Sequence, residues 1–137
     1  MKQSHLTHIP APEGVAPGGG YTHVVTGSGR LVAVSGQVAL DEDGKLVGEG
    51  DPEAQARQVF ENLRRCLAAA GATFDDVVKF TFFTTDIGLL PVIRTVRDTH
   101  VDVARRPAST AVQVAALFRP ELVLEVEALA IVPEPPR

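Results

Sequence analysis

The closing stretch of the chain, LVLEVEALAIV at residues 122–132, is the feature that most limits how the sequence can fold. Its β-branched and leucine residues favour a strand, in which successive side chains point to opposite faces of a sheet. One face is entirely apolar and carries Leu122, Leu124, Val126, Ala128, Ala130 and Val132. The other face combines two glutamates with further apolar residues, namely Glu125, Glu127, Val123, Leu129 and Ile131. Both faces therefore need cover from other parts of the fold.

Two predicted helices can cover one of these faces. Asp51 is a suitable N-cap, Pro52 suits a first turn, and apolar residues recur at three- and four-residue spacing until Gly71 stops the helix. A second, shorter helix begins at Asp86, with Pro91 near its first turn, where proline is tolerated. Its apolar positions are Val92, Ile93 and Val96, and they extend to His100 and Val103.

The remaining β-branched runs predict strands. YTHVVTG and RLVAVSGQV are separated by SG, which indicates an antiparallel hairpin over residues 21–38. Further strands are predicted at residues 77–85, 109–117 and 122–132, and a turn at residues 41–45. The order of elements is typical of an α+β fold, with one mixed sheet of six strands and two helices on one face.

The second face of the closing strand is too apolar to be left in water, and the chain has no further element to cover it. Another subunit should do so, which predicts a homo-oligomer. Glu125 then lies in a buried surface, where a carboxylate needs a cation, a hydrogen-bond donor or a proton. It is either a general base in a cleft between subunits or half of an interface ion pair with one of the arginines, namely Arg94, Arg105, Arg106 or Arg119.

Composition limits the class of protein. The 137 residues carry a net charge of −4 and have a pI near 5.5, which argues against binding to nucleic acid. Residues 1–20, rich in Pro and Gly, are interpreted as a flexible lead-in, residues 21–132 as a single domain and residues 133–137 as a tail. No long apolar run or secretory signal is found, so no membrane contact and a cytoplasmic location are expected.

The residue types that bind metals do not form a recognisable set. His5 and His8 fall in the lead-in, and His23 and His100 have no second ligand at a helical or strand spacing. The single cysteine, Cys66, falls on the apolar stripe of the first helix and is interpreted as a small buried residue. We therefore expect no metal site.

Three segments together resemble a known family. They are SGQV at residues 35–38, QARQVFENLRRCLAAAGATFDDVVKFTFFTTD at residues 55–86, and the closing AVQVA and LEVEALA. In these segments the chain is similar to the reactive intermediate deaminases, also called the Rid or YjgF-like family. The resemblance runs from Tyr21 to Val132.

The resemblance implies a fold like that of chorismate mutase, assembled as a homotrimer with clefts between subunits. Active members of the family hydrolyse reactive enamines and imines to keto acids and ammonia without a cofactor. On this basis Glu125 places the attacking water, backbone groups at Ser35 and Gly36 assist, and Tyr21 closes the cleft.

One important residue of the family is missing here. The family has an arginine on the penultimate strand, preceded by a proline and a small residue, which binds the carboxylate of the substrate with two hydrogen bonds. In this chain Ser109 takes that place, and Ala111 takes the place of a frequent cysteine. A serine hydroxyl is a weaker, neutral donor, so ordinary 2-aminoacrylate deamination is doubtful. Arg94 on the second helix is a candidate replacement.

Three functions are compatible with these residues. The first is a cofactor-free hydrolase of a small imine, enamine or related carbonyl compound, with Glu125 as the catalytic residue and Tyr21, Ser35, Gly36, Arg94, Ser109 and Ala111 binding the substrate. The second is a non-catalytic trimer whose clefts bind a small metabolite. The third is an endoribonuclease or translation inhibitor, and the net negative charge of the chain argues against this function.

Overall fold

A computed structural model describes residues 5–135. Its strands are β1 (Thr7–Ile9), β2 (Val24–Thr26), β3 (Arg30–Gln37), β4 (Val77–Thr84), β5 (Ala108–Gln113) and β6 (Leu124–Val132). Its helices are α1 (Pro52–Ala69) and α2 (Leu90–Arg97), and short 3-10 turns at Phe74–Asp76 and Ile87–Leu89 precede β4 and α2. The predicted α+β fold with two helices is confirmed.

The first helix forms where the sequence predicts it. The Asp51 side chain accepts a hydrogen bond from the backbone N–H of Ala54, and Pro52 occupies the first turn. Gly71 follows the helix with φ of +75°, a left-handed conformation that favours glycine. The apolar stripe of α1 is fully buried against the sheet at Ala56, Val59, Phe60, Leu63 and Leu67.

The main sheet contains four strands in the order β3-β6-β4-β5. Strands β4 and β5 are parallel and are joined through α2, while β6 runs antiparallel to both β3 and β4. The sheet is therefore mixed, as predicted. However, the prediction that all six strands form one sheet is wrong, because β1 and β2 pair in a separate two-stranded sheet.

The predicted hairpin between β2 and β3 is also wrong. Strand β2 pairs with β1, in the register Thr7 with Thr26, and β3 pairs with the distant β6 along most of its length. Strand β1 lies within residues 1–20, in a segment where the sequence predicts no regular element. It is anchored by Leu6, which is buried, and by the ring of His5, whose Nε2 lies 2.7 Å from the backbone oxygen of Ile131. Residues 1–4 lie outside the described part.

The two faces of β6 differ as the sequence predicts. Its helix-facing residues are buried, and the neighbouring strand contributes Phe80, Phe82 and Thr84 to the same core. The opposite face has no helix over it. There Leu31 of β3 is 65% exposed and Leu129 of β6 is 41% exposed, and these two strands lie side by side. We call this surface the open face.

The second helix is shorter than the sequence predicts. Asp86 caps the 3-10 turn rather than α2, and α2 ends at Arg97, so His100 and Val103 lie beyond it. The His100 side chain nevertheless packs against the apolar core, because its ring stacks on the Phe60 ring with centroids 5.4 Å apart. None of the helices within residues 5–135 is long and apolar enough to cross a membrane.

Candidate functional site

Four of the predicted site residues surround one cavity of about 320 Å³ at the edge strand β5, next to α2. Strand β5 contributes Ser109 and Ala111, α2 contributes Arg94, and the segment before β2 contributes Tyr21. The remaining lining residues are Gly20, Phe82, Leu90, Ile93, Arg97 and Thr110. The cavity is thus lined by apolar side chains together with hydroxyl groups and guanidinium groups.

Tyr21 is fixed beside the cavity by its neighbours in sequence. The backbone N–H of Thr22 donates to the carbonyl of Pro107, just before β5, over 3.3 Å. The ring of His23 makes an edge contact with the Tyr21 ring, with centroids 5.2 Å apart. The Nε2 atom of His23 in turn lies 2.8 Å from the backbone oxygen of Ala16. The segment that carries Tyr21 is therefore attached to the start of the edge strand.

The other three predicted residues meet on the open face. Ser35 and Gly36 form an irregularity in β3, because Val34 pairs with Ala128 while Gln37 pairs with Val126. Bulges of this kind often re-aim side chains next to functional sites. The Glu125 side chain lies directly over Gly36, where an added Cβ would come within 2.7 Å of its carboxyl carbon. A glycine is required for this close approach.

These two groups of residues lie on opposite faces of the same sheet. Ala111 pairs with Phe82, which is buried beneath the helices, and Ser109 is on the same face two residues earlier. Glu125 pairs with Phe83, the next residue along β4. Because successive residues of a strand face opposite ways, the Glu125 carboxylate points away from the cavity of its own chain. Within one chain the predicted site residues therefore form two separate groups, which we call the half-sites.

Two of the four predicted ion-pair partners of Glu125 bind other carboxylates within the chain. Arg105 contacts Asp102 at 3.1 Å, and Arg106 contacts Asp98 at 3.0 Å. Among residues 5–135 no salt bridge of Glu125 is found. An ion pair with another subunit stays a prediction, as does the role of general base.

A second cavity, of about 50 Å³, lies under β1 and contains none of the predicted site residues. Its polar lining includes His5, His8, Asp76, Asp102 and Arg105. Burial lowers the pKa of His8, and the nearby Arg105 lowers it further, against an opposing effect of Asp102. Among the residues that the structure describes, no group of three or more His, Cys, Asp or Glu side chains could hold a metal ion.

The comparisons with known proteins agree on one family. Residues 12–132 match the profile of the family described as endoribonuclease L-PSP. The chain is 35% identical to a RutC family protein of Synechocystis, with 91% of this chain and 95% of that protein covered. It is 38% identical to the mouse 2-iminobutanoate/2-iminopropanoate deaminase, with 92% and 89% covered. The chain belongs to the Rid (YjgF-like) family.

A solved structure supports the same assignment. A Rid family protein from Yersinia pestis, described as being of unknown function, superimposes with a TM-score of 0.81 at 34% identity, over 93% of this chain and 99% of that one. The Rid fold expected from the sequence is therefore confirmed.

Among the six lining residues that were not predicted as site residues, Arg97 is the charged one. It is 3% exposed, and its guanidinium hydrogen bonds to the carboxylate of Asp98 over 3.0 Å. Burial lowers the pKa of Arg97, Asp98 opposes this effect, and the neighbouring Arg106 and Arg94 lower it further. Its spacing in the sequence could have indicated this position, because Arg97 follows the buried Ile93 by four residues and so lies on the same side of α2.

Proposed function

We propose that this Rid protein is a cofactor-free hydrolase of small imines or enamines, which acts in clefts between the subunits of a homotrimer. The observation that carries the proposal is the division of the predicted site into two half-sites. The cavity beside Tyr21 and Ser109 opens at the edge strand β5, and Glu125 lies on the open face. A neighbouring copy that covers the open face would bring its cavity to the Glu125 carboxylate.

In the proposed reaction, an enamine first takes a proton from solvent on carbon and becomes an iminium ion, which an imine forms by protonation on nitrogen. Glu125 then accepts a proton from a water molecule whose oxygen attacks the iminium carbon, which gives a neutral tetrahedral aminoalcohol. Glu125 returns this proton to the amino nitrogen, the C–N bond breaks and ammonia leaves, while the hydroxyl group loses its proton to solvent and becomes the carbonyl. The products are a carbonyl compound and ammonia, and the atoms balance with one water consumed.

The other residues have supporting roles in this proposal. Ser109 supplies a neutral hydrogen-bond donor, Tyr21 closes the cleft, and backbone groups at Ser35 and Gly36 hold the water or the substrate. The apolar residues of the cavity exclude bulk water, which strengthens the polar contacts that remain. The similarity to the mouse iminobutanoate and iminopropanoate deaminase supports the choice of an imine as substrate.

The test is the hydrolysis of freshly generated 2-aminoacrylate and of larger imino acids, measured as ammonia release above the rate in buffer. We expect Glu125→Gln to lower the enzymatic rate by about 100- to 10,000-fold. The matched control is Glu127→Gln, which changes an exposed glutamate two residues along the same face of β6. A fully active Glu125→Gln protein would remove the assigned role.

Metabolite binding without catalysis is the second candidate, and the serine at position 109 favours it. Ser109 leaves the predicted carboxylate position on β5 without a charged donor. If the wild-type protein accelerates none of the imines but binds the corresponding 2-oxo acids, this second function is the better account.

A further inference from the structure

The buried guanidinium of Arg97 is the most unusual feature of the cavity. Arg97 is on the core side of α2, one turn after Ile93, which is 1% exposed. A leucine could fill such a position without any cost of desolvation, whereas a buried charge persists when other groups compensate it. The groups that compensate the buried charge of Arg97 therefore bear on its role.

One carboxylate serves two arginines here. Asp98 Oδ1 accepts from Arg97 Nε over 3.0 Å and from Arg106 Nε over 3.2 Å, and Asp98 Oδ2 accepts from Arg106 Nη2 over 3.0 Å. Arg94 lines the same cavity as Arg97. The guanidinium groups of Arg94, Arg97 and Arg106 carry three positive charges, and the Asp98 carboxylate neutralises one of them. None of the described residues that line the cavity is acidic.

The network also fixes the direction of the Arg97 side chain. Arg106 also donates to both oxygens of Asp98, and an added Cβ at Gly20, which lines the cavity, would lie 3.6 Å from Arg97 Nη2. Because Asp98 is held by two arginines, the Arg97 guanidinium that binds it has little freedom to turn from this position. A donor group that is fixed in advance loses less entropy when it binds a ligand.

The rest of the cavity limits the kind of anion that fits. The apolar side chains of Phe82, Leu90 and Ile93 face a volume of about 320 Å³, and Ser109 adds a hydroxyl. A positive group beside apolar side chains suits a small organic carboxylate, whose charged end meets the guanidinium and whose carbon chain meets the apolar side chains.

We propose that Arg97, held by Asp98 and Arg106, binds the carboxylate of a small 2-imino or 2-oxo acid in this cavity. The imino acid as a substrate rests on the proposed function, while the carboxylate subsite rests on the charges and burial of the cavity itself. Position 109 then needs no arginine, since the charged contact comes from α2 rather than from β5.

The first test is calorimetric titration with 2-oxobutanoate, with neutral butanone and with inorganic phosphate. Arg97→Gln should weaken the binding of 2-oxobutanoate by about 10- to 100-fold. Arg105→Gln, which removes an arginine that pairs with Asp102 away from this cavity, should bind like the wild type. A loss that appears in Arg94→Gln and not in Arg97→Gln would overturn the proposal, and so would phosphate binding more tightly than 2-oxobutanoate.

The second test needs no substitution and so does not depend on the folding of a variant. In the wild-type protein labelled with ¹⁵N, 2-oxobutanoate should shift the Nε–Hε resonance of Arg97, and butanone should not. An Arg97 resonance that stays in place at saturating 2-oxobutanoate contradicts the proposal. If 2-oxobutanoate binds through Arg97 but no imine is hydrolysed, the subsite stands and the proposed hydrolase function fails.

Discussion

At the scale of single residues, Gly36 lies against the side chain of the proposed base, Glu125. It lets the Glu125 side chain lie across the backbone of β3, in a place that any Cβ would occupy. A side chain that is packed closely against backbone has fewer positions to adopt, so the position of the Glu125 carboxylate is restricted.

The variant Gly36→Ala tests this contact. The atoms that the new Cβ meets belong to the flexible end of Glu125, so the carboxylate should move while the fold tolerates the change. We expect imine hydrolysis to fall on the order of 100-fold with an almost unchanged melting temperature. Gly19→Ala, where an added Cβ meets nothing within 4 Å, is the control, and equal activity of the two variants would contradict the expectation.

Arg97 shows why part of the site cannot be predicted from the sequence. An arginine three residues after Arg94 on a short helix usually lies in solvent, with only its stem packed. Its burial depends on the packing of α2 against α1 and on the partner Asp98, and the packing of α2 is a tertiary feature. By contrast, the grouping of Tyr21 with Ser109 follows from the resemblance to Rid proteins alone.

At the scale of elements, the sequence predicts best where local signals agree. Helix α1 has a cap at Asp51, a proline in its first turn, an apolar stripe and a glycine stop, and it forms as predicted. Strand β1 has three residues, Thr7–Ile9, and no local pattern, so its pairing with β2 could not be foreseen. The separation of β2 from β3 likewise depends on the distant strand β6, with which β3 pairs.

The turn after α2 should make stability depend on pH. Burial lowers the pKa of His100, whose ring stacks on Phe60, although the nearby Glu61 raises it and Arg64 lowers it further. The unfolded chain therefore takes up the proton more readily than the folded one. The stabilisation that depends on an uncharged His100 is present above the unperturbed pKa of 6.5. It is lost as the pH falls through the lowered pKa of His100 in the folded protein.

The variant His100→Phe keeps an aromatic ring on Phe60 and removes the titration. We expect its free energy of unfolding, measured by urea denaturation at a series of pH values, to fall less than that of the wild type as the pH drops below 6.5. His8, whose pKa is also lowered, accounts for part of the remaining slope. Identical slopes for both proteins would mean that His100 does not carry this effect.

At the scale of the whole molecule, the two faces of the sheet differ in what covers them. The helices cover one face, and the other exposes Leu31 and Leu129 next to the Glu125 half-site. The predicted homotrimer would bury this surface and complete three clefts at once.

Mixing two inactive proteins tests whether each cleft combines two chains. Glu125→Gln damages one half-site and Arg97→Gln the other, and each homogeneous assembly should be nearly inactive at a substrate concentration far below saturation. After the two are unfolded together and refolded at equal amounts, about a quarter of the clefts should combine two intact halves, and ammonia release should recover accordingly. A mixture as inactive as its components would show that each chain works with its own residues.

The placement of Ser109 and Glu125 on opposite faces of one sheet has a consequence for gene dosage. If a single chain holds no complete reaction centre, only assembled chains are active. At protein concentrations where assembly is incomplete, the total enzymatic activity then rises more steeply than the number of chains produced. Halving synthesis of the protein would then cost a cell more than half of its capacity to clear the reactive compound.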